Sequence, residues 1–427
     1  MNTSNNSFGE LQNQPLTSST NSQFVPLRQS KLFHVLDDHS LTFEDIEDIF
    51  FLAWHNKLED CTQKIDGSFL WFTYKSSTRE IRVARSNKEI LLGGLTRNEL
   101  FQKYSSDFCV KNGIQKIFDG AVDALDEFFT LMKKDEDVFD NGNIFFPVEV
   151  VYPNKDHTIL INSLNLVFHQ YPVINSDLQE SKINNQHEIF QIILDQYIIW
   201  GNSLNNFKIH YPIKALVNNE SIFKKYEILN KFSNDLSSLL HKLNLKKLNT
   251  IEDYLRKRME QYFSNHNRFI SSRSDDTIQA IINRILHVKG CRNITYLKQI
   301  VKNGPQFDLS KYIDNKLFMH KMLQPLEDIF NNYTHQLLQH IEPVIKGSVT
   351  MTQINVSNII NDVRWKTLDS IPDELQIYTE KLKSIDNIIP LEGIVFFYKK
   401  KYYKMTGYFA AANQLLNLER KYFKKEN

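Results

Sequence analysis

The hexapeptide Gln63-Lys64-Ile65-Asp66-Gly67-Ser68 sets a lysine just ahead of an Asp-Gly pair and an apolar run, so its amine stands beside a tight turn. With a pKa near ~10.4, a free lysine amine is unprotonated in only about one molecule in 2,500 at neutral pH. To act as a nucleophile it needs burial, a neighbouring cation or a metal ion to lower that pKa. The same six residues also suit an exposed hairpin turn with a solvated lysine. Other chemistries lack their residues. The chain has no GxGxxG and no Walker loop, and Gly93-Gly94 lacks the lysine and the spacing. No HExxH and no Cys–His cluster has zinc-ligand spacing. Cys61 has no histidine visibly placed to activate it, and His169 suits a hydrogen-bonded structural role better than catalysis.

The elements that must position Lys64 are readable in outline, and they predict an α+β fold. Residues 1–30 are rich in Ser, Asn, Thr and Gln and are expected to be a flexible tail. Hydroxyls at Ser40 and Thr42 precede Ile46, Ile49, Phe50 and Ala53 at helical spacing, which predicts a helix ending near Lys57. Runs from Ser68 to Tyr74 and from Glu80 to Arg85, separated by Ser76-Ser77-Thr78, predict a β-hairpin. Helical spacing follows from Ile114 to Met132, then strands over 143–152, 158–161 and 164–168. From about 176 to 385 the pattern is helical, as in Leu236, Leu239, Leu240 and Leu243. Strand pattern returns at 392–398 and 402–406 around the basic turn Lys399-Lys400-Lys401, and a helix over 410–422 follows. The organisation expected is a tail (1–30), a core in two parts (31–175 and 386–427), and a mostly helical insertion (176–385).

Composition bounds the rest. In 427 residues, 41% are hydrophobic and 24% charged, enough to bury a substantial core. A net charge of +1 implies no global field for polyanions. Residues 224–302 nevertheless hold 16 Lys/Arg against 7 Asp/Glu, which suits either solvated helix faces or a phosphate-contacting surface. Tyr254, Tyr262 and Phe263 within it have the spacing of core aromatics. Three scattered cysteines exclude a disulfide framework, and no apolar run reaches the ~18 residues of a membrane span. A soluble cytoplasmic protein is expected.

Taken in order, several short sequences resemble the motifs of the covalent nucleotidyltransferase superfamily, the ATP-dependent DNA and RNA ligases and mRNA capping enzymes. They are Lys64-Ile-Asp-Gly-Ser, Arg85 in Val83-Ala-Arg-Ser, Glu149 in Pro147-Val-Glu-Val-Val, Phe168 in Leu166-Val-Phe-His, Glu392-Gly-Ile-Val, and Lys404 in Tyr402-Tyr-Lys-Met-Thr. The resemblance implies a ligase-type core of antiparallel sheets and helices, interrupted here by the helical insertion. It implies that Lys64 forms a lysyl-nucleotide phosphoramidate, with Asp66 in the same catalytic motif. Arg85 would contact the nucleotide, Glu149 the ribose hydroxyls, and Phe168 would stack on the purine. Glu392 would help bind Mg²⁺ or Mn²⁺, and Lys404 would contact the α-phosphate. Such a set makes chemical sense, because attack on an α-phosphate needs its equatorial oxygens neutralised.

The resemblance covers roughly residues 31–175 and 386–427. Two departures bear on function. Where many ligases carry Lys-x-Lys in the last motif, Thr406 follows Lys404, with Lys401 in the preceding turn a possible substitute. Only 23 residues follow Lys404, too few for the OB-fold of DNA ligases and capping enzymes, which favours the RNA-ligase branch. The run from Glu392 onward is also similar to ligase-like proteins of large tailed phages, which would place it in a host cytoplasm. The expected activity is ATP-dependent sealing of 5′-phosphate to 3′-hydroxyl ends, on RNA in preference to DNA, with residues 224–302 touching phosphates and no membrane partner. Two alternatives stay open: adenylyl transfer to a protein or small molecule, and a non-catalytic virion or interaction protein on a degenerate ligase scaffold. Singly, Glu149 and Glu392 also suit strand-edge carboxylates, Phe168 a core residue, and Lys404 a charge that blunts an edge strand.

Overall fold

The computed structural model describes residues 32–64, 67–106, 110, 113–131, 138–152, 160–161, 164–168, 174–177, 190, 192, 194–195, 198, 207–211, 214–218, 221–266, 275–287, 316–341, 349–350, 354–355, 373–382, 387–388 and 391–423. The tail expected over 1–30, Asp66, His169, Cys109, Cys291 and residues 267–274 and 288–302 of the basic stretch lie outside them.

The first third runs β1 (Phe33–His34), α1 (Phe43–Trp54), β2 (Glu59–Gln63), β3 (Ser68–Lys75), β4 (Glu80–Ala84), α2 (Asn87–Leu91), α3 (Arg97–Lys103), α4 (Ile114–Leu131) and β5 (Ile144–Val151). Next come β6 (Leu160–Ile161), β7 (Leu164–Phe168), β8 (Ile174–Asn175) and β9 (Phe207–His210), then α5 (Ile222–His241), α6 (Ile251–His266), α7 (Asp275–His287) and α8 (Lys316–Gln339). The remainder is β10 (Val349–Thr350), β11 (Ile354–Asn355), α9 (Asp373–Leu382), β12 (Asn387–Ile388), β13 (Ile394–Tyr398), β14 (Lys401–Met405) and α10 (Phe409–Phe423). The α+β class holds.

Two sheets matter for the site. One has the order β1-β14-β13-β2, the other β4-β3-β5-β7-β9, with β8 also pairing β5. The resemblance implied antiparallel sheets, but both are mixed: β1 runs parallel to β14, and β9 runs parallel to β7. The boundary expected near residue 176 does not interrupt the second sheet, because β9, from the stretch expected to be helical, extends it.

Each sheet has its own core. Leu70, Phe72, Val148 and Leu166 on one face of the larger sheet pack against Phe118, Leu125 and Phe128 of α4. The smaller sheet shares a core with the helices: Tyr403, Phe396 and Met405 pack in one cluster with Phe43, Phe50, Phe232, Tyr254 and Phe330. Helix α1 starts with a capping box, in which Asp45 N–H donates to Thr42 Oγ1 (3.1 Å) and Thr42 N–H donates to Asp45 Oδ2 (3.1 Å). The other oxygen of Asp45 accepts from Tyr398 (3.1 Å) and Lys399 (2.6 Å), so the cap also ties down the β13–β14 turn.

Candidate active site

Lys64 follows the last residue of β2, in the smaller sheet, and Gly67 precedes the first of β3, in the larger. The Lys64–Gly67 segment is therefore the crossing between sheets. On its first side, Lys64 N–H donates to the Gly393 carbonyl (2.8 Å), and the Lys64 ammonium pairs with the Glu392 carboxylate, 328 positions away. Both side chains are largely buried. Gly393 makes that approach possible. Its φ of +151° suits glycine, and a Cβ there would run into the Met405 carbonyl oxygen and crowd the Thr406 Cα. The glycine thus lets the backbone beside Glu392 pack against the end of β14 while its carboxylate stays on Lys64.

Strand register gives the smaller sheet its second set of site residues. His34 pairs with Lys404, Lys404 with Val395, and Val395 with Thr62, so these four form a row across one face. The residues between them, Tyr403, Phe396 and Met405, point into the core. Lys64, two residues beyond Thr62, lies on the same face but further along, level with Gly393. Burial lowers the Lys404 pKa, the Lys64 charge lowers it further, and Glu392 opposes both. His34 is pushed down to about 4 by burial and by Lys404, against Asp37 and with smaller help from Lys64 and Lys381. Its imidazole is neutral at physiological pH. Sequence reading missed His34, since a two-residue strand has no alternation to detect, and its neighbour Lys404 lies 370 positions on.

On the far side of the crossing, Gly67 N–H donates to Glu149 Oε1 at 3.0 Å. A Cβ at Gly67 would lie 2.6 Å from Glu149 Cγ and 2.9 Å from the Val150 carbonyl oxygen, so the motif's glycine lets the loop close on β5. Glu392 and Glu149 thus hold the two ends of the crossing, and Lys404 is close enough to Lys64 and Glu392 to feel their charges. Two expected partners lie elsewhere. Val148 pairs with Phe168 while Glu149 pairs with Val167, so Phe168 and Glu149 face opposite ways. Phe168 is 2% exposed, with its ring 5.5 Å from Phe72 and 5.8 Å from Phe128. It is a core residue, which corrects its assignment as a base-stacking platform. Arg85 also turns to that core side, its guanidinium 4.9 Å from the Phe118 ring centroid and 3.4 Å from the Tyr104 hydroxyl. Its backbone N–H donates to Glu89, whose carboxylate also pairs with Lys103.

No family model, curated protein or solved structure matches this chain.

The donor set bears on a metal. Among the described residues, no group of three or more His, Cys, Asp or Glu is placed to hold an ion. Glu392 offers one buried carboxylate beside Lys64. That fits Mg²⁺, which keeps most of its waters and binds through one or two carboxylates and substrate phosphates, rather than a dedicated protein cage. The last motif lacks its second lysine: Lys401 pairs with Asp38 (2.7 Å) on the core face, away from Lys404, and Thr406 is buried at the turn into α10. In the basic stretch, Arg256, Lys257 and Lys247 are ion-paired with Glu252, Glu260 and Glu47, and Tyr254 and Phe263 are fully buried. No described helix is long and apolar enough to cross a membrane.

Proposed function

We propose that this chain is an ATP-dependent nucleotidyltransferase that works through a lysyl-AMP intermediate on Lys64, and that it seals 5′-phosphate to 3′-hydroxyl ends of RNA. What supports this most is the pairing of Lys64 with Glu392, with Lys404 of the following hairpin strand near enough to feel both charges, so that one hairpin meets a lysine 328 positions before Glu392. In the first step Lys64 Nζ bonds to the α-phosphorus as the bond to the bridging oxygen breaks. Pyrophosphate leaves with that electron pair, and the amine sheds its protons to the Glu392 carboxylate or to water. Lys404 neutralises charge on the α-phosphate oxygens. A divalent ion entering on the phosphates would take an oxygen of Glu392 and add charge neutralisation there. Glu149, at the far end of the crossing, reaches the ribose once Gly67 yields it. The adenylate then passes to a 5′-phosphate, and a 3′-hydroxyl displaces AMP.

Incubation with α-³²P-labelled ATP and Mg²⁺ tests the first step. An acid-labile labelled band on a denaturing gel is expected for the wild type and not for Lys64→Ala. A band of equal strength in Lys64→Ala would remove the nucleophile assignment. Failure of the labelled enzyme to pass AMP to any 5′-phosphorylated RNA or DNA would move the acceptor to a protein or small molecule. No band with ATP or GTP, in Mg²⁺ or Mn²⁺, would favour the scaffold alternative.

A further inference from the structure

His34 stands at the β1 end of the row that runs through Lys404, on the face that Lys64 shares. It belongs to β1, the edge strand of this sheet among the described residues, and it is held on the site face by its pairing with Lys404. On the opposite face its neighbour Phe33 packs 6.3 Å from the Tyr403 ring, which fixes the orientation of this short strand. That face therefore presents the Lys404 amine and the His34 imidazole on adjacent strands, one spacing of ~4.8 Å apart, with Lys64 two strands from β14 and its charge acting on both.

We infer that His34 is a phosphate-contacting residue of this site, donating a ring N–H to the β- or γ-phosphate of a nucleoside triphosphate whose α-phosphate lies between Lys64 and Lys404. The inference rests on Lys64 as the nucleophile, and it adds the group that takes the leaving end of the substrate. A partly buried ring beside two ammonium groups stays neutral, so it gives the polyphosphate a hydrogen bond without a third desolvated charge. A neutral donor also lets pyrophosphate go after Lys64 has taken the nucleotide. A merely structural histidine at this edge would treat AMP and ATP alike; a residue on the β- or γ-phosphate distinguishes them.

The test measures ATP and AMP affinities by equilibrium dialysis, and the ATP dependence of adduct formation, for wild type, His34→Ala and His34→Gln. His34→Ala is expected to weaken ATP binding about tenfold. AMP binding should stay within about twofold, and His34→Gln, which retains an N–H donor, should recover most of the loss. Equal weakening of ATP and AMP, or no change in either, would overturn the inference. Exchange of the His34 C2 hydrogen in the wild-type chain, read by peptide mass spectrometry, needs no variant to fold. ATP and pyrophosphate should slow it and AMP should not; unchanged exchange with ATP would overturn the inference. Should the wild type form no adduct yet show the ATP–AMP contrast at His34, the nucleophile assignment fails and the phosphate contact stands.

Discussion

Glu392 and Gly393 act as a unit, one supplying a carboxylate to Lys64 and the other the space to deliver it. Glu392→Gln keeps an acceptor beside the ammonium, so it should leave the fold intact and slow adduct formation about 100-fold or more. Gly393→Ala puts a methyl group against the Met405 carbonyl at a backbone angle that favours glycine, and should cost about 1–3 kcal/mol in urea unfolding. Phe168 separates two roles cleanly. As a core ring, Phe168→Ala should cost about 3–5 kcal/mol of stability, whereas a base-stacking ring would raise the ATP requirement and leave stability alone. His34 also has a pH signature. The unfolded imidazole takes its proton near 6.5 and the folded one only near 4, so the stability it contributes is complete above 6.5 and drains away between 6.5 and 4. His34→Gln should flatten that part of an acid titration of the unfolding midpoint. Of the residues singled out in the sequence, Glu392 meets Lys64 at one end of the crossing, Glu149 meets Gly67 at the other, and Lys404 feels the charges of Lys64 and Glu392. Phe168 and Arg85 do not join them, because one position along a strand decides the face and sequence order alone does not fix register.

At the scale of elements, the β13–β14 hairpin is held by acids from the segment that begins α1. Asp38 accepts from Ser40, from Lys401 and from the Tyr403 hydroxyl at 2.7 Å, and Asp45 accepts from Tyr398 and Lys399. Those partners outweigh burial and hold the Asp38 carboxyl down to about 2. Its contribution to stability is therefore present above about 3.8 and lost as pH falls toward 2. Tyr403→Phe removes a hydrogen bond to a charged group and should cost about 1.5–3 kcal/mol, measurable by urea denaturation. The hairpin was legible because β-branched and aromatic residues on both sides of a charged turn mark it. Strands β1, β2 and β9 were not. Glu59-Asp-Cys-Thr-Gln has no apolar alternation and becomes a strand only by pairing with β13. Lys401 looked like a substitute for the missing motif lysine, yet the strand period turns it to the core face, where it serves Asp38.

Across the whole molecule, the helices over 222–339 are no appendage to the smaller sheet. Phe50 of α1 lies 4.4 Å from Phe232 and 5.3 Å from Phe330, ring to ring, and Phe43 lies 6.1 Å from Tyr254. A chain lacking residues 218–341 would expose that side of α1, and it should fail to give a soluble, cooperatively unfolding protein; a well-folded truncation would contradict the shared core. The helices were expected from sequence as a separate insertion, since their periodicity reveals an apolar face but not what covers it. Charge on α5 and on the turn that follows it sets a separate test. Lys231, Lys242 and Lys246 are exposed, and their combined replacement by Gln should reduce the salt slope of single-stranded RNA binding by about 2. An unchanged slope would overturn the reading of this stretch as a phosphate-contacting surface. The crossing itself has a metric consequence. Three residue steps separate Lys64 from Gly67, so the chain spans at most about 11 Å there. It caps the distance between the grip at Glu392 and the grip at Glu149, so the covalent backbone, and not the packing of the two sheets, sets the greatest separation of the two ends of a ligand held at both.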